Sequence, residues 1–244
     1  MSTTLEAPEA RPPEKADGLG TYLKVIYAPG DAFATLARVP TWGWAALVGI
    51  ILTIVGTFLA LPASLHYSHI AQEQQFSQMS AEQAAAAREF TAKIPQWAYY
   101  IFAFIGALFG CFVGWLIASL IYLISAALGG GEAAFKKAWV AAVNLYIIPV
   151  LGSLAGGLIL LLRGPENANT STDLFVLPSP ALLIHTPLKL AAFLYYGLNV
   201  VNIWFYFVAV IALQLLMKVS RVAAIVTVIV VGLLLSSVLA LLAK

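Results

Sequence analysis

The chain has 244 residues, of which 61% are apolar and 10% charged, with a formal net charge of +2. An ordinary soluble domain is nearer ~45–50% apolar and ~25% charged, and thirteen basic plus eleven acidic side chains are too few to cover a water-facing surface. Composition therefore excludes a soluble protein, the small net charge excludes a nucleic-acid partner, and the single Cys111 excludes a disulfide framework.

In chain order, residues 1–18 are polar, proline-rich and mixed in charge, which is the composition of a disordered tail. Residues 19–40 read as an interfacial amphipathic segment. Tyr22, Leu23, Val25, Ile26 and Tyr27 cluster before the Pro29-Gly30 break, and Asp31 is placed to cap a short helix through Arg38. Phe33, Leu36 and Ala37 share one face of that helix, with Lys24 and Arg38 alongside. Such a helix lies on the membrane surface or packs against the bundle. A cleavable signal would place its apolar core well before residue 42, so the first span is expected to be retained.

Residues 41–244 read as a transmembrane domain with five charge-free apolar stretches, near 42–61, 97–128, 138–162, 200–217 and 222–243. The expected fold is an all-α integral membrane protein of five transmembrane helices with interfacial amphipathic helices. The first stretch reaches ~30 Å as helix, the thickness of a hydrocarbon core. In the polar loop 62–96, Ser80-Ala81-Glu82-Gln83 marks a helix start by a capping box. The second stretch would reach ~48 Å, too long for an upright span and too short for two, so it reads as one tilted helix. Gly129-Gly130-Gly131 ends it. In the 163–199 loop, Thr186-Pro187 reads as the start of a helix over 188–198 that lies at the interface or inserts.

Five spans place Arg11, Lys15, Lys24, Arg38, Lys136, Lys137, Lys218 and Arg221 on one face. The other face carries Arg88, Lys93, Arg163, Lys189 and Lys244, diluted over two long loops. The positive-inside rule then sets the N-terminus in the cytoplasm and the C-terminus outside.

Several scattered features resemble one family. They are Pro29-x-x-Ala32-Phe33-x-x-Leu36 before the first span, Gly130-Gly131-x-x-x-Phe135-Lys136 before the third, Tyr146 and Pro149 within it, Asn202-Ile203-Trp204 in the fourth, and the Lys218-Val219-Ser220 turn. Together, over roughly residues 25–240, they resemble the Yip domain family of Ypt/Rab-interacting membrane proteins, in its prokaryotic branch. The resemblance implies five transmembrane helices, a cytoplasmic N-terminus and residence in a prokaryotic inner membrane. The acidic and Asp-Leu-Tyr-Gly-Pro-type elements of eukaryotic members are not evident, so a Rab role is not carried over.

Candidate functional residues are sparse. Gly106, Gly110, Gly114 and Ala118 recur at four-residue spacing, and Gly152 and Gly156 form a second small-residue face; such faces let helices approach closely, within the chain or in a homo-oligomer. Phe33, Leu36, Arg38, Phe135, Lys136 and Lys137 combine apolar and basic groups on the cytoplasmic side, a surface for the lipid bilayer or for a membrane or cytoplasmic protein partner. Asn144 is the candidate intramembrane polar site, either bonding to a neighbouring helix or lining a solute path. His66, His69 and Glu73 have the spacing of metal ligands on a helix, but Pro62 precedes them and no further ligand clusters nearby, so no metal site is assigned. No His, Asp or Glu lies in a span to activate Ser153 or to form a carboxylate pair, so no catalytic residue and no cofactor is expected. The expected function is a partner-binding or membrane-organising scaffold, with a small-solute transporter or channel as the alternative.

Reporter fusions at Ala10 and after Lys244 are expected to report opposite sides, the former cytoplasmic. Signals from the same side would mean an even number of spans, with 181–198 inserted as well.

Overall fold

The computed structural model describes residues 17–184 and 186–243. Most of the expected tail (1–16), together with His185 and Lys244, lies outside the described residues. Ten α-helices follow one another: α1 Gly18–Tyr27, α2 Pro29–Arg38, α3 Gly43–Phe76, α4 Ala81–Ala92, α5 Gln96–Leu128, α6 Phe135–Leu145, α7 Ile147–Arg163, α8 Leu188–Leu198, α9 Val200–Met217 and α10 Arg221–Leu242. Three short 3₁₀ turns fill the connection from α7 to α8, and no strand occurs among the described residues. Five elements are long and apolar enough to cross a membrane: α3, α5, the α6–α7 pair, α9 and α10. The protein is an all-α, multi-pass membrane protein.

Local chemistry explains most boundaries. The Asp17 carboxylate accepts the Gly20 N–H at 3.1 Å and so caps α1. Ser80 and Gln83 form the reciprocal capping box that opens α4. Ala28, not Asp31, is the N-cap of α2; Asp31 sits in its first turn, where a carboxylate favours the helix dipole. Pro62 forfeits one backbone hydrogen bond, yet α3 passes through it unbroken. At 34 and 33 residues, α3 and α5 reach about 50 Å each, well beyond a ~30 Å hydrocarbon core. Their projecting ends carry α4 between them, held by a 2.9 Å ion pair from Arg88 to Glu73. In the third span Pro149 cannot donate to residue 145, and the helix is interrupted at Tyr146.

The tightest contact in the bundle joins α3 to α7. A Cβ added at Gly157 would stand 2.8 Å from the Gly56 carbonyl oxygen and 2.9 Å from Leu59 Cβ. One added at Gly56 would stand 2.8 Å from Ser153 Oγ and 3.2 Å from the Leu154 nitrogen. Gly152 meets α9 in the same way, 2.8 Å from Val201. Lipid tails supply no hydrophobic drive between helices, so close backbone approach is what lets dispersion hold these elements together.

The second-span glycine face behaves differently. Gly106, Gly110 and Gly114 are exposed, with nothing within 4 Å of an added Cβ. As an internal packing face this expectation is corrected. The face that α5 buries carries Cys111, Trp115, Ser119, Tyr122 and Ala126, with Ala118 partly buried at its margin. The large rings of Trp115 and Tyr122 fill the space beside the bundle and turn the glycines toward lipid.

A second correction concerns 19–40. Tyr22, Val25, Ala32, Phe33 and Leu36 are all fully buried, with α1 packed on α3 and α2 on α9. Phe33 and Leu36 therefore belong to the core and are not available to a partner or to lipid. The period of 3.6 that made the segment look amphipathic serves protein contact here.

Gly157→Leu is expected to abolish folding or to lower detergent melting by several degrees, because the obstructing atom is backbone and cannot yield. Gly110→Leu should leave monomer melting almost unchanged. The comparison is made by thermal unfolding of the two purified variants.

Candidate functional site

One end of the bundle, the N-terminal face, gathers the α2–α3 entry, the α5–α6 connection and the α9–α10 turn. Glu132 ties the last two together. Its backbone N–H donates to the Met217 carbonyl at 2.6 Å, and its carboxylate pairs with both Lys137 and Lys218. Lys218 holds a left-handed conformation at φ 53°, where a non-glycine residue is uncommon. Its N–H closes the end of α9 by donating to Leu213, and Ser220 then caps α10 through the Ala223 N–H. Hydrogen bonds from Lys137 and then Lys218 hold the Glu132 carboxyl down from its ordinary 4.5 to about 2.

An aromatic series runs inward from this face. Phe135, 46% exposed, lies against Trp139 at 6.2 Å between ring centroids. Trp139 meets Trp42 and Trp115 edge-on at 6.1 Å, and Trp115 meets Tyr146 edge-on at 5.6 Å. Such edge-to-face pairs set positive ring edges against negative faces. At the inner end, Tyr22 from α1 arrives beside Gly49, where its hydroxyl lies 3.3 Å from the position of an added Cβ. The Tyr146 hydroxyl accepts from Thr53 at 3.4 Å and from Cys111 at 3.7 Å. The Tyr22 hydroxyl and the Trp115 indole N–H are buried and have no hydrogen-bond partner among the described residues.

The expected candidate residues separate on this frame. Arg38 and Lys136 are exposed beside Phe135 on the N-terminal face, whereas Lys137 is committed to Glu132. Asn144 is 1% exposed and its amide donates to Thr41 O at 3.0 Å and Val140 O at 2.9 Å. It fastens the entry of α3 to α6. Of the third-span pair, Gly152 is pressed against Val201 while Gly156 has only an ordinary 3.7 Å neighbour in Val176. His66 lies 3.4 Å from Asn169, and Glu73 is engaged by Arg88. Among the described residues no group of three His, Cys, Asp or Glu side chains is placed to hold a metal.

Sequence reasoning missed Glu132 and Lys218. The Glu132 to Lys137 spacing is visible in the chain, but the partner eighty-six positions away in the α9–α10 turn has no local signal.

Compared with known proteins, the chain matches the Yip1 domain over residues 23–242, nearly its whole length. Neither the curated proteins nor the solved structures compared with it give a match.

The Glu132 pair carries a pH signature. Its carboxyl is depressed on folding, so its stabilisation is complete above about pH 4.5 and is lost as the pH falls toward about 2. Melting temperature should fall across that window in the wild type and fall less in Glu132→Gln, as measured by thermal unfolding in detergent.

Proposed function

The chain belongs to the Yip1 domain family, and on that premise we propose that it is a non-catalytic scaffold of a prokaryotic cell membrane that binds a partner through its N-terminal face. In this reading that face is cytoplasmic. The observation that carries it is an imbalance of charge beside exposed apolar groups. Arg38, Lys136 and Arg221 are exposed and make no ion pair among the described residues, while Glu132 is already shared by Lys137 and Lys218. Phe135, at 46% exposure, stands next to Lys136 on that face. Free cations around apolar contacts suit an acidic protein surface at the membrane. Asn144 favours no solute path, because both of its donor bonds go to backbone carbonyls inside the bundle.

Crosslinking and pull-down from native membranes test this reading. Lys136→Glu combined with Arg221→Glu should leave insertion and melting unchanged and should remove at least one crosslinked protein found with the wild type. The loss should be mimicked by raised salt, since exposed charges are screened within about 8–10 Å at physiological ionic strength. Identical partner sets for wild type and variant would overturn it, as would Asn144-dependent solute movement in a reconstituted system.

A further inference from the structure

A cavity of about 320 Å³ lies on the other side of the bundle, bounded by α5, α8, α9 and α10. Its size falls at the lower end of small-molecule sites. It runs along α10 from Thr227 to Leu239, about 18 Å by helical rise, slightly more than half of a ~30 Å hydrocarbon core. It begins about 9 Å inside the N-terminal end of α10 and so reaches past the middle of the core. Leu235 and Leu239 form part of its wall and are also 52% and 42% exposed on the outer surface, so the cavity opens sideways into the bilayer.

The lining contains no Asp, Glu, Lys, Arg or His. Several of its polar groups are already engaged. The Asn202 amide donates to the Tyr196 carbonyl, Ser236 donates to the Gly232 carbonyl at 2.7 Å, and Tyr206 is hydrogen-bonded to Ser236. Three hydroxyls are not. Tyr122 lines the cavity and is 6% exposed, and its hydroxyl makes no hydrogen bond among the described residues; nor do those of Thr227 and, toward the other end, Tyr196. Tyr122 and Thr227 each lie six residues from the ends of their helices at the N-terminal face, Leu128 and Arg221, so they mark the same end of the cavity. The Tyr122 ring is buried while its hydroxyl faces the cavity without a protein partner, so a hydrogen bond there is open to an occupant.

We infer that this cavity binds an uncharged bilayer lipid: one hydrocarbon chain lies along α9 and α10, and an oxygen of its neutral head accepts a hydrogen bond from Tyr122. The lateral opening admits a chain from the leaflet without passage through water. The uncharged wall accepts no phosphate or carboxylate, because a charge there would be desolvated with nothing to compensate it. The free hydroxyl of Tyr122 supplies the directional contact at the N-terminal end, where Thr227 lines the same end of the cavity with a second hydroxyl able to donate or accept.

The experiment uses the full chain in phosphatidylcholine vesicles containing a photoreactive long-chain alcohol or, in parallel, a photoreactive alkane of equal length. The alcohol should label the segments 202–209 and 227–239 saturably, and unlabelled long-chain alcohol should compete. Tyr122→Phe keeps the ring and removes only the hydroxyl. It should weaken alcohol labelling roughly three- to tenfold, the effect of one hydrogen bond, and leave alkane labelling and melting unchanged. Val231→Phe, which fills the cavity, should lower labelling by both probes; if that variant does not fold, Tyr122→Phe alone decides. Labelling that is unsaturable and spread over every exposed helix face would overturn the proposal. So would equal labelling of wild type and Tyr122→Phe by the alcohol, or preference for a photoreactive fatty acid in its ionised form.

Discussion

The architecture depends on how closely α3 can approach α7. In water two apolar helices are driven together by solvent, but in lipid that drive vanishes, and contact must be won through dispersion at short range. Gly56 and Gly157 provide it by leaving no side chain between the two backbones, to the point that an added Cβ would stand 2.8 Å from an atom of the opposite helix at either position. Once α7 is fixed on α3, the break at Tyr146 before Pro149 sets the direction of α6. Asn144 on α6 then reaches the Thr41 carbonyl and fixes the entry of α3. The α1–α2 pair closes over this assembly, placing Tyr22 against the α3–α5–α7 junction and Phe33 and Leu36 against α9.

The number and position of the spans were legible in the sequence because charge is a one-dimensional signal. Five charge-free runs separated by polar connections leave few alternatives. The α4 start was legible for a similar reason, since both halves of the capping box lie within four residues. Faces were not legible. A helix that is apolar all round has no polar stripe to reveal which side is inward, so Gly106, Gly110 and Gly114 look no different in sequence from Gly152 and Gly157. What separates them is the neighbour, and on α5 the neighbour side was claimed by Trp115 and Tyr122. Phe33 and Leu36 show the reverse ambiguity. Their amphipathic pattern is real, but a pattern does not say whether the apolar side meets lipid or protein.

The N-terminal face shows how few charges a membrane protein needs to fix a joint. One carboxylate, Glu132, serves two lysines from segments far apart in sequence, and its backbone N–H reaches a third residue, Met217. These contacts hold a left-handed Lys218, a conformation that costs a side-chain-bearing residue of the order of 1–2 kcal/mol. Glycine would adopt it freely but would lose the ion pair. Because Lys137 and Lys218 are occupied in this joint, the cations left over for binding there are Arg38, Lys136 and Arg221, a different set from the one that net charge along the chain suggests.

The two halves of the bundle are consequently unlike. On the α3–α7 side Gly56 and Gly157 bring the two backbones into direct contact, while on the α10 side the helix rests on α8 and α9 through Gly197 and Gly232, which accommodate Ser236 and Tyr206. Those contacts sit near the middle and far end of α10, where Ser236 and Tyr206 also satisfy one another. At its start Ala223 meets Gly129 at the end of α5, 3.1 Å from an added Cβ, and between that contact and Gly232 lies the end of the cavity that Tyr122 and Thr227 line. An empty space of that size would forfeit dispersion along its whole wall and leave a phenol unpaired in a medium that offers no water. A protein surrounded by lipid has an immediate remedy for both losses. The same chain that fills the volume can carry the oxygen that Tyr122 lacks, so packing and hydrogen bonding are satisfied by one neutral occupant rather than by a tighter fold.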